Sequence, residues 1–205
     1  MYITSILLIV NVGLSLLAFE KPEYRSRWMF NAYQVTQRKE WYRLISHAFI
    51  HLDVMHLIFN MWVLYMFGQM VEPMFFQLFG VKGYYYFILL YFGAMLFSTV
   101  PSLIKHRTNP MYNSLGASGA VSGLVFAFIA LVPDGGLSII FLPISFPAIV
   151  FGGLYLLAEY FLSKRSGSRI AHDAHLFGAI FGFVFTLAVN WQEFDTFIDN
   201  VKNIF

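Results

Sequence analysis

Six apolar stretches of roughly 15 to 20 residues recur along the chain, and they leave few folds open. They cover 2–19, 51–70, 84–101, 118–132, 148–162 and 172–191. Only 12% of the 205 residues are charged and 59% are hydrophobic, whereas a soluble domain carries about 25% charge. A water-soluble core of this size cannot absorb so much apolar side chain. In hydrocarbon the backbone must satisfy its own polar groups, so each stretch is expected to be a helix. The expected class is therefore all-α: a polytopic membrane protein of six transmembrane helices, with 1–205 as one domain.

The first stretch lacks the basic start and the small-residue cleavage site of a signal peptide, and is read as a retained span. The loop 20–50 mixes charges with Trp28, Phe30, Tyr33, Trp41 and Tyr42, a composition suited to the headgroup region. The segment 137–147 is apolar but holds Pro143 and Pro147, and reads as an interfacial or re-entrant lead-in to the fifth span. The loop 163–171 is short and reads as a hinge. The acidic tail 192–205 has weak helical spacing at Phe194, Phe197, Ile198 and Val201. Tyr84, Tyr85, Tyr86 and Phe87 suit an interfacial belt. A net charge of +2 with no polybasic run argues against nucleic acid as a partner. The lack of cysteine excludes disulfides, thiolate metal sites and a cysteine nucleophile.

Against this background a few polar residues stand out, because polar groups inside membrane-like sequence mark functional candidates. Ser118 lies in Gly116-Ala117-Ser118-Gly119 at the mouth of the fourth stretch, and His175 opens the sixth. His56 and Asn60 lie one helical turn apart in the second. Even-numbered spans begin on one face of the membrane, so these four side chains are expected in a common layer. A serine hydroxyl needs a base to become a nucleophile, and a neutral imidazole suits that task. His56 and Asn60, with the Ser118 backbone N–H at a helix start, can form a site for a developing oxyanion. Asp173, two residues before His175, points about 200° around the helix, so a Ser118–His175 dyad is expected, its imidazole oriented by packing. Gly119 and Gly123, and Gly178 and Gly182, form small-xxx-small steps that let membrane helices approach closely.

Metal binding by His56 with His47, His51, His172 or His175 is the competing reading. It is disfavoured because there is no cysteine and no HExxH, and asparagine is a poor zinc ligand. No metal and no cofactor are expected. His47 and His51 are expected to brace the first loop, His172 and Asp173 to serve a cap over the site or its water-facing rim, and Glu72 and Glu159 to lie near span ends.

Together these motifs resemble the rhomboid family of intramembrane serine proteases. The matching residues are Gly116-Ala117-Ser118-Gly119, Ala174-His175 with Gly178 and Gly182, and His56 through Asn60. His47, His51, Gly68, Glu72 and Arg43 flank them, and the resemblance covers about 38–185. It implies a six-helix rhomboid-like bundle and a serine endopeptidase with Ser118 as nucleophile and His175 as base. His56 and Asn60 would line the oxyanion hole. The partners it implies are the bilayer and the transmembrane helices of other proteins, cut in or near the membrane. It implies a cap in the loop before the sixth span and a lateral gate in the fifth. The expected location is a bacterial inner membrane, with the site open to the extracytoplasmic side. Two features depart from the pattern. Ser122 stands where relatives often carry an aromatic residue against the catalytic imidazole. The arginine of the first loop follows its tryptophan as Trp41-Tyr42-Arg43. The basic residues also cluster in the odd-numbered loops, which the positive-inside rule would place in the cytoplasm; the orientation implied by the family is preferred to it. A catalytically dead relative would lack Ser118 or His175. A transporter would spread polar side chains through the full depth of the membrane.

Overall fold

The computed structural model describes residues 2–138, 145–164 and 171–205. Four helices are long and apolar enough to cross a membrane: α1 (Tyr2–Glu20), α5 (Val54–Phe79), α6 (Lys82–His106) and α9 (His172–Val189). Two shorter apolar helices, α7 (Ser118–Leu131) and α8 (Ala148–Ser163), occupy the positions expected for the fourth and fifth spans. The expected all-α membrane bundle is thus the architecture. Among the described residues, four helices reach spanning length.

The bundle has an apolar core, with Leu64, Phe75, Phe87 and Leu124 buried, and an exterior that is apolar as well. Helix α1 turns Thr4, Leu7, Asn11, Ser15 and Ala18 inward, a stripe at helical spacing that is largely small or polar. Its outer face exposes Ile6, Ile9 and Leu16, and α5 likewise exposes Phe59, Trp62 and Tyr65. An apolar exterior this extensive is the surface of a protein dissolved in lipid. At the centre runs α7, whose residues from Gly119 to Ala130 are all buried except Val125.

Two helices outrun their expected ends. Helix α5 continues through Pro73 to Phe79, and α6 through Pro101 to His106. Proline is tolerated here because neighbouring helices can satisfy the backbone groups it frees. Glu72 therefore lies well inside α5 rather than near a span end, and it is buried. Its carboxylate accepts hydrogen bonds from the Ile3 N–H (3.1 Å), the Thr4 N–H (2.9 Å) and the Thr4 hydroxyl (2.6 Å). Those amides belong to the first turn of α1, which has no intrahelical acceptors. Glu72 is a helix cap delivered from a neighbouring span.

The loop 20–50 is built structure. It folds into α2 (Pro22–Trp28), α3 (Ala32–Arg38), α4 (Arg43–Ser46) and a 3-10 turn, His47–Phe49. Phe30, Ala32 and Val35 form a small buried cluster against Leu44, Leu103 and Tyr112. Arg43 is buried and holds the loop together, donating to the carbonyls of Ser26 (3.1 Å) and Met29 (2.8 Å) and to Glu40 (2.6 Å). That bond holds the Glu40 carboxyl below the usual carboxylate range.

The described part of the proline-containing segment after α7 forms an antiparallel ribbon. Its strands are β1 (Gly136–Ser138) and β2 (Ser145–Pro147), with Leu137 opposite Phe146. Pro147 is both the end of β2 and the residue before α8. Pro143 and most of the expected hinge 163–171 lie outside the described residues. The acidic tail forms a short amphipathic helix, α10 (Phe194–Lys202).

Candidate active site

The position of Ser118 follows from the length of its helix. At 14 residues, α7 rises about 21 Å, some 9 Å less than a hydrocarbon core of ~30 Å. A helix this short, seated at one boundary, starts below the other. Ser118 is its first residue, so its N–H has no carbonyl one turn back within the helix.

The segment entering α7 is fixed by the first loop. Phe30 and Ser114 exchange backbone hydrogen bonds (2.9 and 3.1 Å), and the Gly116 N–H donates to the His47 carbonyl (2.9 Å). The Ala117 N–H donates to His51 Nε2 at 3.4 Å. His51 Nδ1–H is then the donor to Ser15 Oγ (2.8 Å), and the Ser15 hydroxyl donates to the Phe49 carbonyl (3.2 Å). This relay requires a neutral imidazole. Burial and the neighbouring His56 push the His51 pKa down to about 3. His47 Nδ1 donates to the Arg43 carbonyl (2.9 Å), and burial pushes its pKa down to about 4. Both histidines thus brace the first loop, and His51 also ties it to α1 and to the entry of α7.

Helix α9 meets α7 backbone to backbone. A Cβ on Gly178 would collide with the Gly119 carbonyl, and one on Gly182 with the Gly123 carbonyl. Small residues are what permit so close a crossing. One turn above this contact, His175 Nε2 lies 2.8 Å from Ser118 Oγ. The distance is that of an O–H···N hydrogen bond. Asp173 faces Lys105 at 3.7 Å.

The imidazole has a further partner that packing alone did not foretell. His175 Nδ1 lies 3.1 Å from Glu159 Oε1, and His172 Nδ1 lies 2.6 Å from Glu159 Oε2. Glu159 and His172 are both buried. This corrects two expectations: His172 is not at a water-facing rim, and the His175 ring is not oriented by packing alone; Glu159 does lie near the end of α8, as expected, but it is buried there. The sequence signal for Glu159 was its charge inside an apolar stretch.

His56 faces the same region from α5, and Asn60 lies one turn further along that helix. The His56 ring lies where a side chain on Gly116 would be, 2.6 Å from the Cβ position to Cε1, and Gly116 has φ +119°, which only glycine adopts readily. His56 Nδ1 accepts from the Leu52 N–H (3.4 Å), leaving Nε2–H as the donor. Asn60 donates to the His56 carbonyl (2.9 Å), which uses one of its two amide hydrogens. A cavity of about 20 Å³ beside Ser118 is lined by Ser98, Thr99, Ser102, Ser114 and Gly116, room for about one water. Ser122, which stands in place of an aromatic, meets the Tyr155 hydroxyl of α8 at 3.0 Å.

Among the described residues, Glu159, His172 and His175 form a group that offers three metal-ligand atoms within 4.8 Å. The contacts of 2.6 and 3.1 Å are those of hydrogen bonds. Donors sharing a tetrahedral zinc stand about 3.3 Å apart.

A match to the rhomboid domain covers residues 38–192. The chain belongs to the rhomboid family. It is 31% identical over 145 residues to the mitochondrial presenilin-associated rhomboid-like protein of Bos taurus, covering 68% of this chain and 36% of that protein. It is 31% identical over 165 residues to the rhomboid protease GlpG of Yersinia pestis (strain Pestoides F), covering 77% of this chain and 50% of that one. The aligned part is thus a third to a half of these relatives' lengths. This rhomboid is an integral membrane protein of a family that includes proteases.

Proposed function

We propose that this rhomboid is an intramembrane serine endopeptidase in which Ser118 and His175 cleave a peptide bond in or near the transmembrane helix of another protein. The observation that carries the reading is the 2.8 Å contact between Ser118 Oγ and His175 Nε2. It sits at the start of a helix too short to bring the serine to the membrane surface. His175 takes the Ser118 proton as Oγ attacks the scissile carbonyl, and the carbonyl oxygen becomes an oxyanion. The Ser118 N–H, His56 Nε2–H and the second Asn60 amide hydrogen are the donors available to it. Collapse expels the amine, which takes the proton from His175, and water enters by the same base to release the acyl group. The protease name of the Yersinia relative supports the same assignment.

The substrates are membrane proteins and the medium is the bilayer. The location is a bacterial inner membrane with the site open to the extracytoplasmic side. A fluorophosphonate probe should label the purified wild type covalently and leave Ser118→Ala unlabelled, and both Ser118→Ala and His175→Ala should lose cleavage of a transmembrane reporter while remaining folded. Equal labelling of wild type and Ser118→Ala would overturn the assignment.

A further inference from the structure

We infer that Glu159 is the positioning residue of this site: carried by α8, its carboxylate holds the His175 ring with Nε2 facing Ser118, so the base is poised only while α8 is seated against α9. The inference rests on the protease reading above and adds a third residue and a means of control to it.

An ionised carboxylate only accepts hydrogen bonds. Both histidine Nδ1 atoms at Glu159 must therefore carry their protons, at 3.1 Å for His175 and 2.6 Å for His172. For His175 that choice leaves the lone pair on Nε2, which is the atom 2.8 Å from Ser118 Oγ. Without the carboxylate the other tautomer becomes accessible. Its Nε2–H would donate to the serine and could not take its proton. When Ser118 attacks, its proton moves to Nε2 while the Nδ1 proton stays on the ring, and the carboxylate faces the resulting imidazolium. The Glu159 side chain is only 10% exposed, so little water competes for these bonds. His172 occupies the second carboxylate oxygen and fixes the plane of the group.

The placement on α8 adds the control. Helix α8 buries only Ala148, Gly152 and Glu159, which fall at i, i+4 and i+11 on one face. Tyr155 lies on the same stripe and meets Ser122 of α7. Apolar packing holds this helix lightly, and the helix cannot tilt outward without drawing the carboxylate away from the imidazole. Any opening between α8 and its neighbours that admits a substrate helix therefore releases His175, and reclosure restores it.

The test compares kcat and KM for a transmembrane reporter in wild type, E159Q, E159D and H172A, with fluorophosphonate labelling and thermal unfolding of each. Proton NMR of S118A and S118A/E159Q follows the deshielded Nδ1–H of His175. The E159Q amide can donate to Nδ1 and favour the wrong tautomer. Its kcat should fall by about 10²- to 10⁴-fold with little change in KM. E159D should recover part of the rate, H172A should lose much less than E159Q, and the deshielded proton should be present in S118A and absent from S118A/E159Q. E159Q with wild-type kcat would overturn the inference. So would equal losses in H172A and E159Q, which would reduce Glu159 to a helix tie. If E159Q does not fold, absence of the deshielded proton from S118A is decisive against it. A wild type that takes no label at Ser118 would sink the protease reading separately, because the NMR comparison needs no turnover.

Discussion

At the scale of single residues, the site is a set of hydrogen bonds with little slack. Asn60 spends one amide hydrogen on the His56 carbonyl, and the proposed mechanism assigns the other to the oxyanion. Asn60→Ala should lower kcat by about 10²- to 10³-fold with unfolding temperature nearly unchanged, read from reporter cleavage and a thermal melt. A rate within a few-fold of wild type would remove Asn60 from the oxyanion site. Gly116 is constrained twice, by φ +119° and by the His56 ring 2.6 Å from its Cβ position. Gly116→Ala should push His56 aside and abolish probe labelling at Ser118, and full labelling of a folded variant would contradict that geometry. Ser118, His175, His56 and Asn60 stood out in the sequence because each is a polar residue in an apolar stretch and all sit in the first halves of even-numbered stretches, which the structure makes α5, α7 and α9. The contact of Glu159 with His175 was not legible. Its charge was visible, but pairing it with a residue 16 positions on requires knowing the rotation of α8 about its own axis. Hydropathy does not contain that angle. The helix has an apolar residue on nearly every face.

At the scale of elements, the decisive contact is the crossing of α7 and α9. Glycine carbonyls occupy the space where side chains would be, so the two backbones rather than their side chains set the distance between serine and histidine. Gly178→Leu should force the helices apart, with loss of Ser118 labelling and a lowered unfolding temperature. Gly153 of α8 has nothing within 4 Å of its Cβ position, and Gly153→Leu should be tolerated; similar damage from both substitutions would show that bulk anywhere in the bundle is harmful. Helix boundaries were the part of the elements least legible in sequence. A proline ordinarily argues for an end, yet α5 and α6 run on past Pro73 and Pro101, as helices inside a membrane bundle can. The internal structure of the first loop was also hidden. Its core of Phe30, Ala32 and Val35 is short and aperiodic in the chain and forms only through partners such as Leu103 and Tyr112.

For the whole molecule, the first loop and the bundle share a dependence on pH. Unfolded, the His47 imidazole takes its proton near pH 6.5, and folded it does so only at about 4. Above 6.5 both states are neutral and the contribution of His47 is complete. As pH falls from 6.5 through 4, the unfolded chain binds a proton that the buried site refuses, and stability is lost. The full loss is on the order of 3 kcal/mol, with His51 adding in the same sense. Thermal melts between pH 7 and 4 should fall steeply for wild type and more gently for His47→Gln, and parallel curves would show that this histidine does not govern acid sensitivity. The membrane class and the order of the helices could be read from the chain because they rest on apolar content alone. Apolar content alone did not show which face turns inward: the glycine steps marked it for α7 and α9, and α1 turns a stripe of small and polar residues inward and shows lipid its apolar face.

The tether of α8 carries a last consequence. Greasy seams loosen little when the amphiphile around them changes, but a seam of hydroxyl, carboxylate and imidazole contacts tightens in dry hydrocarbon and slackens wherever water seeps in. Short-chain micelles should wet that seam more than thick bilayers do, so the proposed site is expected to turn over at different rates in the two media.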